Sequence, residues 1–283
     1  MVVAAFRGWN DGAQAASLAA SFLARTWHAT QFGDIDPEEY FDFQAVRPHV
    51  SLADGLTRRI DWPENTFYAA TAPGTERDAV LLLGIEPNLR WRTFTETIVG
   101  LVRRLDAAMV VTLGALLADV PHTRPTPVTG TASDPELVER LGLTASRYEG
   151  PTGIVGVLHD ACRQAGLPSA SLWAAVPHYA SMAASPKAAH ALCKRLGELL
   201  ELSIDLSELE QAGASYERQV SDAVAADEDT AAYVRELERA ADVELREADL
   251  PSGDTLAAEL TRFLREHEAR RREEDEADGD LPG

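Results

Sequence analysis

Residues 79–114, AVLLLGIEPNLRWRTFTETIVGLVRRLDAAMVVTLG, decide the fold class. The stretch opens on Ala79-Val80-Leu81-Leu82-Leu83-Gly84 and closes on Met109-Val110-Val111-Thr112-Leu113-Gly114, two apolar runs with little polar alternation. Runs of that kind are strands buried on both faces of a parallel sheet. Between them Phe94, Ile98, Leu101, Val102 and Leu105 recur at helical spacing and form one apolar face. Upstream, Val2 to Phe6 is a short apolar strand, and Asp11 is placed to cap a helix running to about Trp27. From Tyr40 to Thr71 three short β-rich pieces, Tyr40–Phe43, Arg58–Trp62 and Phe67–Thr71, suggest an antiparallel excursion. Downstream, Ser133 with Glu136 opens a helix as a capping box, and Ile154 to Ala165 is a helix ended by Gly166. Ser171–Val176 is a further buried strand, and Ser185-Pro186 opens a helix to about Leu202. Strands alternating with helices imply an α/β three-layer sandwich around a mostly parallel sheet.

Charge divides the chain. Net charge over all 283 residues is −20, but residues 1–205 hold 23 acids and 17 bases, whereas the remainder holds 23 acids and 9 bases. That remainder shows no strand pattern; Leu209, Tyr216, Val220, Tyr233 and Leu237 recur among acids at roughly helical spacing. Three parts are therefore expected: an α/β body over 1–204, an acidic all-helical segment over 205–268, and a charged, disordered tail over 269–283. A charge of −20 opposes a sequence-independent grip on nucleic acid or an anionic membrane. No run approaches the roughly 20 apolar residues of a spanning helix, and the start is too short an apolar run for a secretion signal. Two cysteines, Cys162 and Cys193, make no disulfide framework, so a cytoplasmic protein is expected. His and Cys show no metal-ligand spacing, and neither a metal nor a cofactor is expected.

Ligands of open α/β sheets bind outside the carboxyl ends of the strands. There this sequence places Asp11, Glu86, Asp119, His122, Arg124, His178 and Tyr179, with Arg47 in the antiparallel excursion. Histidines could act as bases oriented by carboxylates, and Arg7, Arg47 and Arg124 could hold an anion. Equally, each proline-containing loop could be an elbow whose side chains cap neighbouring backbone. The helix start at Gly150, Thr152 and Gly153 is a candidate anion loop, or else a tight turn; it lacks both phosphate-loop glycine spacings.

Several motifs occur together. They are Gly8-Trp9-Asn10-Asp11-Gly12, Asp42-Phe43 with Arg47-Pro48, Glu86-Pro87 with Trp91 and Phe94, and Leu113-Gly114-Ala115. Asp119-Val120-Pro121-His122-Thr123-Arg124-Pro125, Tyr148-Glu149-Gly150-Pro151-Thr152-Gly153-Ile154, and Pro177-His178-Tyr179 with Ser185-Pro186-Lys187-Ala188 follow in order. In these the chain resembles the prokaryotic branch of the proteasome assembly chaperone family, in the group named for its second eukaryotic member, over about residues 2–203. The resemblance implies a three-layer α/β fold similar to nucleoside phosphorylases, an added helical C-terminal segment, and self-association into a homo-oligomer, a trimer being one form. It implies a non-catalytic role with proteasome subunits as partners. The alternative is an enzyme or sensor that binds a nucleoside-like or carboxylate small molecule at the strand ends. Family members that dock on the proteasome often end in a hydrophobic residue, Tyr and any residue; this chain ends Leu281-Pro282-Gly283, so another surface is expected to make any such contact.

Overall fold

The computed structural model describes residues 1–55, 57–133, 138 and 149–248. In chain order the elements are β1 (Val2–Arg7), α1 (Ala15–Thr26), β2 (Thr30–Ile35), β3 (His49–Ala53), β4 (Thr57–Asp61), β5 (Asn65–Thr71), β6 (Asp78–Ile85), α2 (Trp91–Arg104) and β7 (Val110–Ala118). Then come β8 (Val128–Ala132), α3 (Ile154–Gln164), β9 (Ser169–Pro177), α4 (Pro186–Leu200), α5 (Ser207–Ala225) and α6 (Glu228–Ala248). The helix expected from Ser133 and everything from 249 onward, including the expected tail, lie outside the described residues.

Seven strands form one sheet in the order β2-β5-β6-β1-β7-β9-β8. The four central strands β6, β1, β7 and β9 run parallel, with Val2 beside both Val80 and Val110. The edges are antiparallel, β2 on β5, β5 on β6, and β8 on β9. The decisive stretch thus becomes β6, α2 and β7, with Leu81, Leu82, Val111 and Leu113 fully buried.

Side chains that alternate along β1 feed two cores, one on each face of the sheet. Val3 and Ala5 pack with Ala16, Ala19, Leu23, Leu192 and Leu196 under α1 and α4. Val2, Ala4 and Phe6 pack with Phe94, Ile98, Val102, Ile154 and Leu158 under α2 and α3. That makes three layers. Each core seals one free cysteine, Cys193 in the first and Cys162 in the second, and burial pushes their thiols up to about 12 and about 11.

The antiparallel excursion differs from expectation in detail. Tyr40 to Phe43 is a turn rather than a strand, because Tyr40 and Phe41 donate their amides back to Pro37. β3 and β4 instead make a separate two-stranded hairpin, and β2 and β8 add edges that the sequence reading omits. Those edges are short, polar and interrupted by Gly33 or Gly130, so they carry no alternating apolar signal.

The chain divides into two compact units, Met1–Val234 and Arg235–Gly283. In the first, α5 packs on α4 and buries Leu209 and Tyr216. Of the second, the described part is the remainder of α6, acidic and amphipathic in sequence. Among the described residues no helix is long and apolar enough to cross a membrane.

Candidate functional site

The carboxyl ends of the parallel strands carry the candidates, but in three separate places. The first lies between β1, β6 and α3. Gly8 turns the chain out of β1 with a φ of +126°, a conformation open to glycine. The turn buries Asn10 completely and pairs Asp11 with Ala115, within β7. Asn10 Nδ2 donates to Glu86 Oε1 at 2.7 Å, and the Ile154 amide donates to the same oxygen at 2.8 Å. The helix start that could have received an external anion is thus met by the protein's own carboxylate. Gly153 makes this possible: a Cβ there would stand 2.2 Å from Asn10 Oδ1 and 2.6 Å from Glu86 Oε1. Gly150 and Thr152 lie on the exposed approach.

Asp11 faces the other way. Its Oδ1 accepts from the amides of Ala16 at 2.8 Å and Ser17 at 3.2 Å, and its Oδ2 accepts from the Ser17 hydroxyl at 2.5 Å. It therefore caps α1, satisfying amides that the first helical turn leaves unpaired. Burial pushes its carboxyl above the usual range; the hydrogen bonds from Ser17 and Ala16 and the charge of Arg7 pull it back.

The second place is the end of β7 and β9, where Asp119, His122, His178 and Tyr179 do meet. His122 is 3% exposed, with Nδ1 2.9 Å from the Tyr179 hydroxyl and Nε2 3.0 Å from Ser221 Oγ on α5. The same Tyr179 oxygen accepts the His122 amide at 2.8 Å. Lys187, in the first turn of α4, donates to the His122 carbonyl and pairs with Glu217 of α5. Asp119 Oδ1 lies 3.2 Å from His178 Nδ1 and accepts from the Tyr233 hydroxyl at 2.9 Å, while the Tyr233 ring packs edge-on against His178 and Tyr179. Arg124 is half-buried beside them and donates to Thr123 Oγ1 at 3.2 Å. Ser221, Glu217 and Tyr233 are absent from the sequence-based candidates. They come from helices read only for their apolar spacing, and contacts to residues 30 to 114 positions away leave no local pattern.

Arg47 joins neither group. It lines a cavity of about 590 Å³ with Arg7, His49, Trp62, Glu64 and Tyr68, between α1, the ends of β1 and β6, and the β3–β4 hairpin. A hollow of about 940 Å³ lies at the opposite end of the sheet around Met1, Asp78 and Met109, away from every candidate. Among the described residues no cluster of His, Cys, Asp and Glu is arranged to hold a metal ion. Around the strand ends Trp9 (64% exposed), Leu116, Leu117 and Met182 (97% exposed) present large apolar side chains to solvent.

Comparison with solved structures finds this architecture in several other proteins. The chain is 45% identical to a Mycobacterium tuberculosis proteasome-assembly chaperone homologue, over 82% of this chain and 99% of that one, with a TM-score of 0.77. It is 46% identical to a PAC2 family protein from Streptomyces avermitilis, over 82% and 98%, with a TM-score of 0.75. The Pyrococcus furiosus protein PbaB, an archaeal proteasome activator, shares the fold at 16% identity, 78% and 92% coverage and a TM-score of 0.63. Comparison with curated proteins gives no match. The PAC2 family model matches residues 5–224, which includes every candidate named above as well as Ser221 of the histidine cluster, and the chain belongs to the PAC2 family.

Proposed function

We propose that this protein is a non-catalytic, self-associating assembly factor of the cytoplasm whose partners are proteasome subunits. The observation that carries the reading is the use of the strand-end groups. Every carboxylate and imidazole among them already serves as an internal tie: Asp11 to α1, Glu86 to Asn10 and α3, His122 to Tyr179 and Ser221, and Asp119 to His178 and Tyr233. A general base must reach the proton that it abstracts, and a 3% exposed imidazole bonded at both nitrogens reaches none from solvent. The exposed Trp9, Leu116, Leu117 and Met182, all following the carboxyl ends of parallel strands or closing them, offer large apolar side chains for contact with another protein. Relatives described as a proteasome-assembly chaperone homologue and a proteasome activator support the choice of partner.

The test is a pull-down of the tagged full-length chain from its native host, with mass spectrometry of what it retains and sedimentation of the purified chain. Enrichment of proteasome α subunits and a sedimenting oligomer are expected. A monomer that retains no proteasome subunit above background overturns the reading.

A further inference from the structure

The cavity beside Arg47 is built unlike the two occupied clusters. Its volume of about 590 Å³ falls within the roughly 300–1,000 Å³ of small-molecule sites. It opens at the carboxyl ends of β1 and β6, where open α/β sheets receive ligands. Among the described residues neither the Arg7 nor the Arg47 guanidinium makes a hydrogen bond or a close ion pair, although the charge of Arg7 is felt by Asp11 and the chain carries a net charge of −20. The acids on the rim are already engaged. Asp61 accepts from Arg59 at 2.6 Å, and hydrogen bonds from Ser51 and then Arg59 hold its carboxyl below the usual range; Glu64 accepts the Thr66 hydroxyl at 3.0 Å. His49 stands opposite Asp61 on the neighbouring strand. Two rings complete the wall, Tyr68 half-buried on β5 and Trp62, which packs edge-on against Phe43.

We propose that this cavity binds a small organic oxyanion, a phosphate monoester or carboxylate carrying a flat ring, with Arg7 and Arg47 on the oxyanion and Trp62 and Tyr68 against the ring. Guanidinium forks match the two oxygens of either anion, and an aromatic wall selects a planar group. The protein's overall negative charge does not forbid this. At physiological salt, charges beyond about 8 Å are largely screened, so the potential inside the cavity is set by its own lining, Arg7 and Arg47 against Glu64 and an Asp61 already paired with Arg59. The proposal goes beyond the assembly reading and is independent of it.

Calorimetric titration of the full-length protein with phenyl phosphate, benzoate and inorganic phosphate tests it. Saturable binding of phenyl phosphate or benzoate is expected, with inorganic phosphate about tenfold weaker because it lacks the ring, a loss equivalent to about 1.4 kcal/mol. Whichever ring-bearing probe binds more tightly identifies the oxyanion. Arg47→Gln and Arg7→Gln should each weaken that binding by about tenfold or more; both side chains are exposed and neither guanidinium makes a hydrogen bond among the described residues. Their melting temperatures, and the pull-down of proteasome subunits, should stay as in the parent chain, which separates failure of this site from failure of the assembly reading. No saturable binding of any probe at about 10 mM, or binding that persists in the double variant, overturns the proposal.

Discussion

The two halves of the parallel sheet's carboxyl edge bury polar groups by different means. At β1 and β6 the partners are a turn, a carboxylate and a helix start, all from within the α/β body: Asn10, Glu86 and the Ile154 amide. At β7 and β9 the partners come from helices that follow the body, Ser221 and Glu217 on α5 and Tyr233 on α6. The first arrangement is closed by the absence of a side chain at Gly153. The second is closed by the presence of side chains 99 and 114 positions downstream. One half is therefore tight and self-contained, while the other ties α5 and Tyr233, near the start of α6, to the body.

The sharpest way to break the comparison is Gly153→Ala. The added methyl would stand 2.2 Å from Asn10 Oδ1 and 2.6 Å from Glu86 Oε1, and Glu86 is held by both Asn10 and the Ile154 amide, so the cluster must open. A global loss of about 3 kcal/mol is expected in chemical denaturation, the upper end of overpacking costs. A loss below about 1 kcal/mol would mean that this half is looser than described.

His122→Ala comes next. It removes a buried ring bonded to Tyr179 and Ser221 and should cost about 2 kcal/mol. Its signature should be local. Hydrogen exchange is expected to speed up across α5 before it changes in β1 or β6. Uniform acceleration throughout the sheet would show that the two halves do not behave as separate units.

The smallest effect is acid sensitivity. Burial holds His159 on α3 and His190 on α4 below the ordinary histidine value of about 6.5. As pH falls through that value the unfolded chain takes up protons before the native one does. The stability is therefore complete above about pH 6.5 and declines as pH falls toward the native-state values. Asp11, pushed upward by burial, acts in the opposite sense, and its window begins lower, near the ordinary carboxylate range. His159→Gln and His190→Gln should each flatten the fall in melting temperature between about pH 6.5 and 5. An unchanged slope in both would assign the acid sensitivity to other groups.

Much of this was legible in the sequence. Leu81 to Gly84 and Val110 to Gly114 announce buried parallel strands because both faces of those strands are covered. Ser185 before Pro186 announces the start of α4, and its hydroxyl does accept the Ala188 amide at 3.2 Å. Asp11 caps α1 as its spacing suggests, although a short turn over Gly12–Gln14 intervenes. What escapes is edge and distance. β2 and β8 meet solvent on one side and need no apolar pattern. The sequence puts Asp11, Arg47, Glu86, Asp119, His122, Arg124, His178 and Tyr179 at one cleft, whereas the structure divides them among three places, and the partners on α5 and α6 depend on how distant helices lie against the sheet. Glu86 has the chemistry of a catalytic acid, and only the amide of Ile154 reveals its employment as a cap.

The two sealed cysteines turn this architecture into its own reporter. Cys193 sits on the α1–α4 face of the sheet and Cys162 on the α2–α3 face, each without exposure. With thiols pushed up to about 12 and about 11, almost no thiolate exists at neutral pH in the native state. A thiol-reactive dye therefore finds nothing to modify until a layer lifts off. The order in which Cys193 and Cys162 become labelled tells which side of the sandwich opens first, with no engineered probe in the molecule.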